Sequence, residues 1–324
     1  MASTKPLVLV VGASGNTGQS IVTGLLATGN FRVAALVRPA SASKPAVESL
    51  RESGVEIRLG DLKNGVEKLK EALVGVAIFI SAVDARSLED QKDALRAAKE
   101  VGVQRVIPCD FATPTEKGVR ELGDTKLAIR EFVKELGVPY TFIDVGWWMQ
   151  LTLPLPTRSA SRLKPLTYQI HGPGDDKMLV TDIAHIGTYV ARIVADPRTL
   201  YQAVIIWEDE VTQLEAHEIG ERLSGEADVL KAKRVYITAE DLLKQIAEAK
   251  ATLAKDPANV LAVMSVNWAQ YMYSLHILRE NTLENAKRLG FLDARELYPD
   301  IPKFSLEEFA KDYYAKEEPG EVYA

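Results

Sequence analysis

The sequence predicts an α/β fold, a doubly wound parallel sheet with a smaller carboxyl-terminal domain. Three observations carry this. Almost wholly apolar runs alternate with helix-like segments through the first half, the pattern of parallel strands buried on both faces. Each helix-like segment ends at or near a glycine, which takes the left-handed C-cap conformation without strain. After Val145 the texture changes to proline, tryptophan and polar turn residues.

The strands are expected at Leu7–Val11, Arg32–Val37, Val55–Leu59, Ala77–Ala82, Val103–Cys109 and Tyr140–Val145. Helices are expected between them at Gly18–Ala27, Lys44–Glu52, Gly65–Leu73, Asp90–Lys99 and Lys126–Leu136, closed by Gly29, Gly54, Gly75, Gly102 and Gly137. Right-handed crossovers make such an array doubly wound. The stretch "GWWMQLTLPLPTRSASRLKPLTYQIHGPG" is a long excursion from the sheet, and long irregular segments in compact proteins are often functional. Beyond it, helices are expected at Asp182–Ala195, Gln213–Leu223, Ala239–Ala249 and Val260–Leu278, with few strands. The charged tail "AKEEPGEVYA" is expected to be loose.

Composition narrows the function classes. The 324 residues carry a formal charge of −6, with no basic stripe of the kind that binds nucleic acid. No apolar run approaches the ~18 residues that span a membrane. The apolar amino-terminal run is short and ends in a glycine turn, so it is a strand and not a signal peptide. The only cysteine, Cys109, excludes an intrachain disulfide and suits a reducing, cytoplasmic setting. The four histidines are scattered, so no histidine–cysteine metal site is expected. Nothing in the sequence separates a monomer from a homodimer.

The first strand opens directly into "GASGNTG", a G-x-x-G-x-x-G spacing at Gly12, Gly15 and Gly18. A strand, a glycine turn and a helix make an anion site: backbone N–H groups point outward and the helix dipole favours negative charge. Gln19 follows the last glycine, which excludes a Walker loop. In this context the turn predicts a Rossmann-type dinucleotide site, with Ser14, Asn16 and Thr17 beside the glycines.

The second strand indicates which dinucleotide. An NAD site places a carboxylate about 20 residues on, at the ribose 2′-hydroxyl. Here that position is Arg38, with Lys44 close by and no carboxylate between Phe31 and Val47. A guanidinium clamps a 2′-phosphate through paired donors, which favours NADPH/NADP+ over NADH. A solvated strand-end arginine is the alternative. At other strand ends, Asp61 is a candidate for adenine, Ser81 and Ala82 leave room, and Phe111 is a candidate to pack on the nicotinamide. A turn or core role is open for each.

Several stretches carry a family resemblance: "VVGASGNTG", "LVRP", "GVQRVIPCDFA", "VPYTFIDVGWW" and "IHGPGDDKMLVTDIAHIGTYVARIVADPRTL". They resemble the isoflavone reductase-like branch of atypical short-chain dehydrogenases, within the wider NmrA-like group, over nearly the whole chain. The resemblance implies an NADPH-dependent reductase of phenylpropanoid-type substrates, with a nucleotide domain at 1–150 and a substrate domain at 151–324 whose later segments return to the main sheet. None of the 11 tyrosines has a lysine four residues on, so the Tyr-x-x-x-Lys mechanism of ordinary short-chain dehydrogenases is not available. The resemblance instead implies a catalytic lysine, and the matching position is Lys126.

If Asp124 is an N-cap, Lys126 stands in the first helical turn, where the helix dipole disfavours its ammonium form. Burial beside a cofactor pushes the same way, and Asp124 opposes it. A solvated surface lysine is the alternative. The segment after the sixth strand departs from the plant enzymes. Trp147, Trp148 and Met149 are candidates for a flat wall against an aromatic substrate, or for core or interface. His171, in a Gly-Pro-Gly turn, is a candidate substrate contact or a turn residue.

Two classes of function follow. One is an enzyme that passes hydride from NADPH to a small aromatic or conjugated substrate, with Lys126 as general acid/base and the proline–tryptophan excursion closing over it; a quinone or carbonyl reductase is a variant. The other is an NADP(H)-sensing regulator without catalysis, as in NmrA-type proteins.

Overall fold

The computed structural model describes residues 5–320. Strands β1 (Leu7–Val11), β2 (Arg32–Val37), β3 (Glu56–Leu59), β4 (Val76–Ser81) and β5 (Arg105–Ile107) form a parallel sheet in the order β3-β2-β1-β4-β5. Strand β6 (Thr141–Asp144) lies beside β5. Tyr140 bridges Val106 in parallel, and the Phe111 N–H donates to the Ile143 carbonyl at 2.8 Å. The remaining strands are β7 (Trp147–Trp148), β8 (Gln169–His171), β9 (Met178–Thr181), β10 (Gln202–Ile205), β11 (Asp209–Val211), β12 (Val235–Ile237) and β13 (Phe291–Asp293). β10 and β13 return from the second half and pair parallel in the order β13-β10-β6.

The side-chain period of two explains the layers. Val8 and Val10 of β1 join one core, with helices α1 (Asn16–Thr28) and α2 (Pro45–Glu52). Leu7, Leu9 and Val11 join the other, with α3 (Val66–Ala72), α4 (Gln91–Glu100) and α5 (Glu121–Leu136). Helix α6 (Ile186–Ala195) comes from the second half yet completes the first core against α1. The crossing is backbone to backbone. A Cβ on Gly187 would lie 1.8 Å from the Ser20 carbonyl oxygen, and one on Gly24 would lie 2.2 Å from the Gly187 backbone. The Ser20 hydroxyl seals it, donating to Ala184 O and accepting from the Gly187 N–H, both at 2.9 Å.

The other helices are α7 (Gln213–Leu223), α8 (Ala227–Ala232), α9 (Ala239–Lys255), α10 (Val260–Met272), α11 (Leu283–Arg288), α12 (Ala294–Leu297) and α13 (Leu306–Ala315). α10 runs into a π-helical turn at Tyr273–Ile277, where one helix was expected to Leu278. β5 is shorter than expected at both ends. The Val103 N–H bonds back to Ala98 at the end of α4, and Pro108 has no N–H to give a ladder. The tail is not loose where it is described. Glu318 accepts from the Ser159 hydroxyl at 2.6 Å and the Ala160 N–H at 2.9 Å. Residues 321–324 lie outside the described residues. Among the described residues, no helix is long and apolar enough to cross a membrane.

Candidate active site

The glycine turn is built by contact. Gly12 has φ +77°, and a Cβ there would lie 2.2 Å from the carbonyl oxygen of Ala82, just after β4. A Cβ on Gly18 would lie 2.0 Å from the Gly12 carbonyl oxygen. Gly15 is the N-cap of α1, and no side chain caps that helix. Its amino end is therefore open, with Ser14, Gly15 and Asn16 exposed and Thr17 half-buried. Arg38 and Lys44 are exposed after β2, and neither forms an ion pair among the described residues. Asp61 caps the short turn after β3, accepting from the Lys63 N–H at 3.0 Å. Ser81 is fully buried, and its hydroxyl has no hydrogen-bond partner among the described residues.

From this edge opens a cavity of about 610 Å³. Thr17, Ala82 and Phe111 line it from the glycine-turn edge, and Trp147, Trp148, Trp268 and Tyr271 line it from later segments. Lys126 lines the same cavity. Trp147 packs on two of the other rings, lying 6.2 Å from Trp268 and 5.5 Å from Tyr271 between centroids. Leu151, Leu163 and Leu166 bring the excursion to the wall. Phe111 holds φ +40°, an unusual value for a bulky residue, and is fixed there by its N–H bond to Ile143.

Lys126 is half-buried, and its Nζ donates to the main-chain carbonyl of Asp110. The expected N-cap at Asp124 is overturned. Helix α5 begins at Glu121 with Arg120 as N-cap, and the Asp124 carboxylate turns back to accept from the Gly118 N–H at 2.7 Å. Lys126 thus stands beyond the first turn, where the dipole argument fades. Below it lies a buried charge cluster. Arg130 Nε donates to Asp110 Oδ2 at 3.0 Å, and Nη2 donates to Asp144 Oδ1 at 2.8 Å. Burial pushes the Asp110 carboxyl up to about 6, against the pull of Arg130. Burial also pushes the Cys109 thiol up, so it stays protonated at neutral pH.

Two expected substrate contacts fall elsewhere. Met149 starts a 3₁₀ turn that sends its side chain into the core with Leu306 and Tyr313, at no exposure. His171 is in β8, paired to β12, and not in a turn. Its Nδ1 lies 3.1 Å from Gln213 Oε1, and its ring stacks on His276 at 5.4 Å. Neither lines the cavity.

The sequence reading missed the wall from α9 and α10: Gln245, Leu261, Met264, Ser265, Trp268 and Tyr271. The sequence shows only an apolar run there, and its exposure emerges with the fold. α10 opens with Val260, Leu261, Val263 and Met264, all strongly exposed, and exposed apolar clusters mark binding surfaces. Trp268 and Tyr271, three apart, share one helix face.

The chain is similar to known proteins over nearly its whole length. The NmrA-like family matches residues 4–310. Asnovolin J 5',6'-dehydrogenase nvfM of Aspergillus novofumigatus is 36% identical over 312 residues, covering 94% of each chain. Phenylcoumaran benzylic ether reductase Pyrc5 of Pyrus communis is 30% identical over 329 residues, 96% of this chain and 99% of its own. The solved complex of Vitis vinifera leucoanthocyanidin reductase with NADPH superposes with a TM-score of 0.77 at 23% identity, covering 96% of this chain and 100% of the other. With the glycine turn, the returning strands and the match all spanning one continuous chain, the protein belongs to the NmrA-like family.

Proposed function

We propose that the chain is an NADPH-dependent oxidoreductase that reduces a small aromatic or conjugated substrate, with Lys126 as its general acid. The observation that carries this is the cavity itself. Its lining brings Thr17 and Ala82 of the glycine-turn edge, a cluster of aromatic rings and Lys126 to one cavity. The residues present fit the cofactor. The open end of α1 suits a diphosphate, and the free guanidinium of Arg38, with Lys44, suits a 2′-phosphate. Two relatives at 30% identity or more are a dehydrogenase and a reductase by name.

Bound NADPH supplies the hydride. The aromatic wall orients the acceptor and excludes water. As a substrate carbon takes the hydride, the displaced electron pair collects on an oxygen, and Lys126 Nζ delivers a proton there. The carbonyl of Asp110 aims that Nζ. The Lys126→Ala enzyme should bind NADPH as the parent does and lose about 10²–10⁴-fold in turnover. Assays of NADPH oxidation with phenylpropanoid ethers, enals and quinones check this. Parent-like turnover in the variant removes Lys126 from the mechanism, and NADPH binding without oxidation of any of these points to a sensor.

A further inference from the structure

We propose that Arg130 is a positioning residue: by gripping the Asp110 side chain it fixes the carbonyl that aims Lys126 into the cavity. This rests on the catalytic reading of Lys126 given above. Lys126 and Arg130 are four apart on α5, so they project from one face, one turn above the other. Residue 110 receives both. Its carbonyl accepts from Lys126 Nζ, and its carboxylate accepts from Arg130 Nε at 3.0 Å. The second arm of Arg130 reaches Asp144 at the end of β6, at 2.8 Å, so one guanidinium ties the end of β6 and the turn after β5 to one helix.

Every part is locked. The side chains of Asp110 and Asp144 are 2% and 3% exposed, and that of Arg130 is 12% exposed. The guanidinium sits 5.3 Å from the Phe142 ring centroid and 5.2 Å from that of Phe291. A planar fork held by two carboxylates and two rings has one orientation, which a lysine cannot reproduce. Asp110 also precedes Phe111, whose positive φ leaves this turn little slack. A structural ion pair alone would need no link to the cavity, yet this one ends on the side chain of the residue whose main-chain carbonyl holds the proposed acid.

The test is a double-mutant cycle of Arg130→Lys and Lys126→Met, with NADPH affinity measured alongside turnover. With Lys126 present, Arg130→Lys should cost about 10–100-fold in kcat at unchanged NADPH affinity, the size of effect a small misplacement produces. In the Lys126→Met background the same change should cost nothing further. Should Arg130→Lys fail to fold, the triple variant Asp110→Asn/Arg130→Met/Asp144→Asn carries the cycle, since it leaves no unpaired buried ion. Equal losses in both backgrounds would make Arg130 merely structural and overturn the inference. An impaired Lys126→Met enzyme beside an Arg130→Lys enzyme of parental turnover overturns it alone. Full turnover in Lys126→Met overturns it together with the catalytic reading.

Discussion

Acidification should unfold this protein through three buried histidines. His171, His217 and His276 are 2%, 3% and 5% exposed, and they neighbour one another in the second half of the chain. Burial pulls His171 and His217 down to about 4 and His276 down to about 3, from an ordinary value near 6.5. All three are neutral in the fold at pH 6, whereas the unfolded chain takes up their protons. The stability they permit is therefore complete above about pH 6.5 and is lost as pH falls toward 4. Asp110 runs the other way: burial raises it to about 6, so the fold holds its proton first. His185, held up by its bond to Glu208, opposes too, but it is partly exposed and solvent weakens its effect. The balance is a net uptake of about two protons on unfolding. At ~1.4 kcal/mol per proton per pH unit, stability should fall by roughly 4 kcal/mol between about pH 6.5 and pH 5. That is a large part of a usual folding free energy. Urea unfolding followed by tryptophan fluorescence across this range measures it. His276→Phe keeps a ring against His171 and should flatten the slope by ~1.4 kcal/mol per pH unit. A stability profile that is flat or rises on acidification, or an unchanged slope in His276→Phe, refutes the reasoning.

Other outcomes follow from the site and the helix crossing. Arg38→Glu replaces an exposed cation with an anion where the 2′-phosphate is proposed. It should weaken NADPH binding by at least about 10–100-fold and leave NADH binding little changed, as titration calorimetry would show. Gly187→Ala puts a methyl 1.8 Å from the Ser20 carbonyl oxygen, so α1 and α6 must part. A loss of about 3 kcal/mol or more in chemical denaturation is expected, since overpacking of this kind cannot relax through a side chain.

Much of the first half was legible because buried parallel strands are apolar throughout, and helix ends call for glycine. β1 and β2 fall where the pattern placed them, and so does α7 in the second half. Errors arose where a side chain did something local that the pattern does not encode. Asp124 has the residue type of an N-cap, yet its carboxylate serves the Gly118 N–H, and α5 starts five residues before Lys126. Asp61 caps its own turn, the role left open for it beside adenine. At the candidate site, the glycine turn and Arg38 were readable as chemistry at known offsets. The opposing wall was not, because α9 and α10 join Trp147 only through the tertiary fold. His171 was misplaced for the same reason, since its strand exists only by pairing with β12.

The first half of the chain is not a separable module. Cut after residue 150, it would keep the glycine turn but lose β10, leaving β6 as a naked edge, and would strip from α1 the helix that covers it. A truncated fragment should therefore aggregate or stay molten instead of acting as a small nucleotide binder. Grafting this turn into another scaffold would have to bring a piece of the distant carboxyl half along with it.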